Sequence, residues 1–200
     1  MQRMLTLSEI RIAGFGGQGV ILAAAVIGKA AAIFQNGHAT MTQSFGPEAR
    51  GGSSSAQVIL SGEPILYPYI TQPEILVVMS QEAYTRFTPE LKPGGILIME
   101  QDLVRVDRIP PGVRAYGVPA TRLAEELGRK VVLNIVMVGF FGAVTHLLEH
   151  DALRQAVADS VPPAMQKLNL AAFDKGYAYG ADLVERLTDE PESAAVLEAL

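Results

Sequence analysis
Glu9-Ile10-Arg11-Ile12-Ala13-Gly14-Phe15-Gly16-Gly17-Gln18-Gly19-Val20 is the stretch whose reading decides the fold. Residues 9–13 alternate toward a short strand, and the glycines that follow call for a tight turn. Residues 20–34 are then almost wholly Ala, Ile, Val and Leu, with Lys29 as their one charge. A strand, a glycine turn and a buried helix in that order open an α/β domain. The alanines let the helix lie close on a sheet, and Asn36-Gly37 ends it, because glycine readily takes the left-handed conformation at a helix terminus.

Working outward, residues 38–42, 56–60, 75–79, 96–99 and 113–117 read as further strands. The run 75–79 (ILVVM) is unbroken and apolar, as a strand buried on both faces requires. Ser80-Gln81-Glu82 starts a short helix that Pro89 interrupts, and residues 120–127 form another. From Arg129 the character changes. Apolar helices over 131–148 and 163–187 flank a short amphipathic one near 151–158, and Pro162-Pro163 punctuates the join. The expected class is α/β: a mixed, mostly parallel sheet flanked by helices, with a helical C-terminal part. Residues 1–187 read as one domain and 188–200 as an acidic, mobile tail.

Composition narrows the function classes. Of 200 residues, 49% are hydrophobic and only 18% charged, against about a quarter charged in an ordinary soluble domain. Some apolar surface is therefore expected to meet a partner. The net charge of −5 argues against nucleic acid or an anionic membrane as that partner. With no cysteine, the chain can supply neither thiolate ligands for an iron–sulfur cluster nor a thiol nucleophile. No signal pattern opens the chain, and the longest apolar run, broken by Asn134, Thr145 and His146, reads as a buried helix; the expected location is the cytoplasm.

Gly14, Gly16, Gly17 and Gly19 fit G-x-G-x-x-G in register, where backbone amides at a helix start can meet an anion. A dinucleotide site also wants an acidic residue about 20 positions on, and none occurs before Glu48. A tight turn packed against a neighbouring subunit is the leading reading, with an anion site and a nucleotide site as alternatives. Residues 43–55 form a long polar connection between two strands, in which Arg50, beside Gly51-Gly52, could offer its guanidinium to a carboxylate or phosphate. Interface contact, ligand contact and a plain ion pair with Glu48 all stay open there.

Asn134 sits in an otherwise apolar helix and needs a hydrogen-bond partner, most simply an inter-helix or helix-to-loop tie. His146 and His150 are spaced i, i+4, but no third ligand lies near in sequence, so solvated histidines at a helix end are expected rather than a metal pair. Ser53, Ser54 and Ser55 lack a nucleophile elbow, and Gly28-Lys29-Ala30 lacks the hydroxyl of a phosphate loop. No self-sufficient catalytic set is present.

Three stretches together resemble one family. Gly14-Phe15-Gly16-Gly17-Gln18-Gly19-Val20 resembles its opening G-x-G-G-Q-G. Ser44-Phe45-Gly46-Pro47-Glu48-Ala49-Arg50-Gly51-Gly52 resembles its S-(Y/F)-G-P-E-x-R-G-G. Asn134-Ile135-Val136-Met137-Val138-Gly139 is similar to its N-x-x-x-(L/V)-G, with Val138 where leucine is frequent. The family is the γ-type domain of 2-oxoacid:ferredoxin oxidoreductases acting on pyruvate, 2-oxoglutarate, 2-oxoisovalerate or indolepyruvate, and the match spans approximately residues 8–180.

The resemblance implies a non-catalytic γ subunit. Its α and β partners, with a δ chain in some complexes, would carry thiamine diphosphate, magnesium and iron–sulfur clusters, leaving no cofactor on this chain. The complex would convert a 2-oxoacid and coenzyme A to acyl-CoA and carbon dioxide, reducing ferredoxin. Gly14, Gly16, Gly17, Gln18, Gly19, Ser44, Phe45, Gly46, Glu48, Arg50, Gly51, Gly52 and Asn134 become the expected contact residues toward ligand or partner.

Overall fold
The computed structural model describes residues 5–46 and 51–189. Six strands form one sheet in the order β2-β3-β1-β4-β5-β6. They are β1 (Ser8–Phe15), β2 (His38–Phe45), β3 (Ser53–Ser61), β4 (Ile75–Val78), β5 (Ile96–Glu100) and β6 (Arg114–Val118). Strands β1, β4, β5 and β6 run parallel, and β3 is antiparallel to both β1 and β2. Mixed pairing with helical crossovers is the architecture that alternating strands and apolar helices predict.

The two faces of the sheet are covered unequally. Ile10, Ile12, Ala56, Val58, Val77 and Ile98 pack on one side into a large core. Over them lie α1 (Val20–Lys29), α3 (Ala120–Glu126), α4 (Leu133–Thr145), α5 (His150–Asp159) and α6 (Pro163–Asp189). On the other side, Ala13, Leu76, Val78 and Met99 meet one helix, α2 (Gln81–Phe87), with Leu91, Val104 and Val113. Ser80 caps α2, its hydroxyl accepting from the Ala83 amide at 3.2 Å. Beyond α2 this second face is crossed by the β3–β4 connection. The Gln57 amide fixes that segment, accepting from Ile70 N at 3.1 Å and donating to Ile70 O at 3.3 Å.

Several boundaries differ from the sequence reading, each for a physical reason. β2 and β3 extend to Phe45 and back to Ser53, so the connection shrinks to residues 46–52. Backbone pairing runs on through Ser44↔Ser55 and Phe45↔Ser54, where no alternation of apolar residues marks a strand. After α1 comes a π-helical turn, Ala30–Phe34, and Asn36 rather than Gly37 takes the left-handed conformation, at φ 54. Gly37 serves close approach instead: a Cβ there would lie 3.1 Å from the Ser61 carbonyl. His146 ends α4 at φ 48 and His150 begins α5, so the two histidines belong to different helices. His150 stands at the positive end of α5 and stacks edge-on against Tyr177 with ring centroids 4.6 Å apart. The acidic tail beyond Asp189 lies outside the described residues.

The α4–α6 contact is backbone on backbone. A Cβ on Gly176 would fall on the Val136 carbonyl, and one on Gly139 on the Phe173 carbonyl. Glycine at these points lets the helices approach as no other residue allows. Among the described residues no helix is long and apolar enough to cross a membrane.

Glu100, at the end of β5, is fully buried. Its Oε1 accepts from Thr121 N at 3.2 Å, while its Oε2 has no hydrogen-bond partner. Burial, with Asp102 adding to it, raises its pKa above the ordinary carboxylate value. The folded state therefore holds this proton more tightly than the unfolded chain, and stability from this site is lost as pH rises through the raised pKa. Glu100→Gln keeps the acceptor and carries no charge. We expect it to raise the melting temperature at neutral pH, with the gap to wild type closing on acidification toward about pH 4.5. Thermal unfolding across that range checks this; a variant destabilised equally at every pH would refute it.

Candidate functional site
The glycine turn and the β2–β3 connection meet at the carboxyl ends of the parallel strands. There, at the point where successive crossovers go to opposite faces of the sheet, open α/β folds commonly bind ligands. Gly14 and Phe15 still belong to β1, paired with Ser54 and Ser53. Gly16 N donates to Gly52 O at 2.8 Å, which fastens the first motif to the end of the second. Gly46 N donates to Ser53 O at 2.7 Å and closes the hairpin beside it. Pro47, Glu48, Ala49 and Arg50 lie outside the described residues, so the Glu48–Arg50 reading receives no structural account.

Gln18 explains the character of the turn. Its Oε1 accepts from Phe15 N and its Nε2 donates to Met79 O, both at 2.7 Å. Its amide thus bridges the ends of β1 and β4, the crevice in which a dinucleotide's pyrophosphate would lie. A Cβ on Gly14 would stand 2.5 Å from Gln18 Oε1, so Gly14 is small to admit this side chain. The Phe15, Gly16 and Gln18 amides are all engaged inside the protein. With these three amides engaged inside the protein, the turn is built as a clasp.

Gly17 and Gly19 have φ of 95° and 75°, left-handed values that favour glycine. At Gly19 space is limiting as well, since a Cβ would land on the Asn134 amide. Asn134, buried near the start of α4, donates from Nδ2 to Gly19 O at 3.3 Å. This is a helix-to-loop tie, and it joins the first and third motifs. Sequence order separates the three motifs; the fold brings their described parts together at one end of the sheet.

Beside this clasp lies a cleft of about 170 Å³. Ser44, Ser53 and Ser55 come from the hairpin, and Glu82 and Arg86 from α2. Phe87 backs it, with Arg11 and Arg86 stacked over its ring at 4.7 and 5.0 Å. Arg11 is buried and ion-paired to Glu90. Sequence reasoning missed Glu82 and Arg86, since nothing local distinguishes them from solvated helix residues. Phe15 and Phe45 are exposed at the rim, Phe45 to 63%. Among the described residues such an edge offers apolar contact, hydrogen-bonding hydroxyls and the Glu82 and Arg86 side chains. Among the described residues no three His, Cys, Asp or Glu gather as metal ligands.

The sequence matches the family model for pyruvate ferredoxin/flavodoxin oxidoreductase over residues 9–179. A 2-oxoglutarate synthase subunit, KorC, of Methanocaldococcus jannaschii is 44% identical over 184 residues, covering 91% of this chain and 98% of its own. The crystal structure of a keto/oxoacid ferredoxin oxidoreductase γ subunit from Geobacter sulfurreducens superposes with a TM-score of 0.79 at 36% identity, over 88% of this chain and 97% of that one. A 2-oxoglutarate:ferredoxin oxidoreductase from Magnetococcus marinus, with 2-oxoglutarate, coenzyme A and succinyl-CoA bound, gives a TM-score of 0.77 at 26% identity. There the match covers 88% of this chain but 31% of that much longer one. The chain belongs to the pyruvate ferredoxin/flavodoxin oxidoreductase family. Within that family it is a chain of the γ type.

Proposed function
We propose that this chain is the non-catalytic γ subunit of a thiamine-diphosphate-dependent 2-oxoacid:ferredoxin oxidoreductase, with 2-oxoglutarate as the 2-oxoacid. The supporting observation is its near full-length likeness to a 2-oxoglutarate synthase subunit, in a chain with no self-sufficient catalytic set. The reaction is 2-oxoglutarate + CoA + 2 oxidised ferredoxin → succinyl-CoA + CO2 + 2 reduced ferredoxin + H⁺. Thiamine diphosphate, held by partner chains, supplies the carbanion chemistry, and clusters on those chains carry the electrons. The γ chain's part is positional. The clasp of Gly14, Gly16, Gly17, Gln18 and Gly19, tied by Asn134, presents Ser44, Phe45, Gly46, Gly51 and Gly52 toward the partner chains and the coenzyme A approach, and Glu48 and Arg50, between them in sequence, are the further contacts proposed. The location that follows is the cytoplasm, where ferredoxin and coenzyme A are at hand.

We expect the isolated chain to show no 2-oxoglutarate-dependent ferredoxin reduction, and the co-expressed complex to show it with coenzyme A. Spectrophotometric assay of both preparations is the test. Robust turnover by the lone chain would overturn the reading. Faster turnover by the complex with pyruvate than with 2-oxoglutarate would overturn its substrate.

A further inference from the structure
The β3–β4 connection, residues 62–74, lies at the opposite end of the sheet from the clasp. It leaves β3 at Ser61 and enters β4 at Ile75, where β1 begins. Its exposed side chains are of the wrong kind for solvent. Leu66 is 95% exposed, Tyr67 66% and Tyr69 58%, and Leu7 beside them 62%. With Ile59 they surround a cleft of about 290 Å³. Contiguous apolar exposure of this kind marks an interaction site, and tyrosine is enriched where interfaces concentrate their energy.

The segment is held ready rather than loose. Pro64, Pro68 and Pro73 restrict its backbone, and the two Gln57–Ile70 hydrogen bonds pin its middle to the sheet. Tyr67 and Tyr69 pack edge to face with centroids 5.6 Å apart. A preformed surface loses little conformational entropy on binding.

Charge tells against a second copy as the occupant. Glu9 lines the cleft and Glu63 is exposed next to it. Glu74, nearby, is already paired with Lys92 at 2.9 Å. Two copies joined face to face here would bring their Glu9 and Glu63 carboxylates together. A partner with an apolar centre and a basic rim fits. In the Magnetococcus marinus enzyme the counterpart of this chain makes up 31% of one longer polypeptide, so there such a domain is joined to further oxidoreductase chain.

We propose that Leu7, Leu66, Tyr67 and Tyr69 form an anchor surface that docks on a basic-rimmed apolar patch of the oxidoreductase's catalytic chains. The proposal rests on the γ-subunit reading. It adds a second attachment, independent of the clasp and at the far end of the sheet.

The test is co-expression of the whole complex with the tag on a catalytic chain. Leu66→Asp and Tyr67→Ala should each lower retention of the γ chain, by ~30-fold or more in apparent affinity, as burial-dominated anchors do. The lone variants should keep the wild-type melting temperature, because both side chains are exposed. Glu63→Lys should also weaken retention, with the loss fading as salt rises. Full stoichiometric retention of Leu66→Asp at nanomolar concentration would overturn the proposal. So would a wild-type self-dimer that Leu66→Asp dissolves. If the wild-type chain itself is not retained by the catalytic chains, the γ-subunit reading fails instead.

Discussion

Gly176→Ala is expected to destabilise the chain by about 3 kcal/mol, although alanine is the better helix former by about 1 kcal/mol. Intrinsic propensity and packing pull in opposite directions here, so the sign of the result decides between them. The added methyl would fall on the Val136 carbonyl, against the facing helix's backbone rather than a movable side chain. Overpacking in a tight core costs about 1–3 kcal/mol when side chains can shift, and more when they cannot. α6 must then back away from α4, and the close approaches at Gly139 on α4 and Gly180 on α6 are lost as well. For a domain of this size, about 3 kcal/mol lowers the melting temperature by roughly 6–12 °C. Calorimetry of the purified variant reads it. A melting temperature equal to or above wild type would mean that the helices are not in backbone contact.

Gly19→Ala carries the second large effect, from two causes that can be separated. A left-handed φ of 75° costs an alanine about 1–2 kcal/mol. Its methyl also displaces the Asn134 amide, losing a hydrogen bond worth about 1 kcal/mol. The sum is about 2–3 kcal/mol. In an Asn134→Ala background the overlaps with the amide disappear and only the Cβ at 3.0 Å remains, so the double variant should be more stable than the sum of the two single losses predicts. Strict additivity in denaturant unfolding would show that Gly19 and Asn134 do not interact.

The fold was legible where chemistry forces a pattern. The apolar run of β4 and the glycines after β1 announced strands and turns, because burial on both faces and left-handed backbone each restrict the usable residues. The ends of β2 and β3 were not legible. Ser44, Ser53 and Ser55 pair through their backbones, and backbone pairing leaves no mark on side-chain identity. Asn36 takes the left-handed conformation expected of Gly37 for a related reason, since the close contact of Gly37 with Ser61 is set by tertiary approach. The three motifs were readable individually, yet the contacts that join them were not. Gln18 reaches Met79, 61 positions away, and nothing near Gln18 in sequence signals that acceptor. Leu66 and Tyr67 were passed over because an exposed apolar residue and a buried one are spelled alike.

The Asn134–Gly19 tie has a consequence for how the subunit is made. It closes across 115 positions, from the first turn of the sheet to the start of the central helix. Contacts of such separation form only after the intervening chain has been ordered, because loop-closure entropy must be offset by packing already in place. During synthesis the clasp therefore cannot be complete before α4 has emerged. A half-made chain has no finished edge to offer. Attachment through this edge is in this way reserved for chains that have been made at least as far as α4.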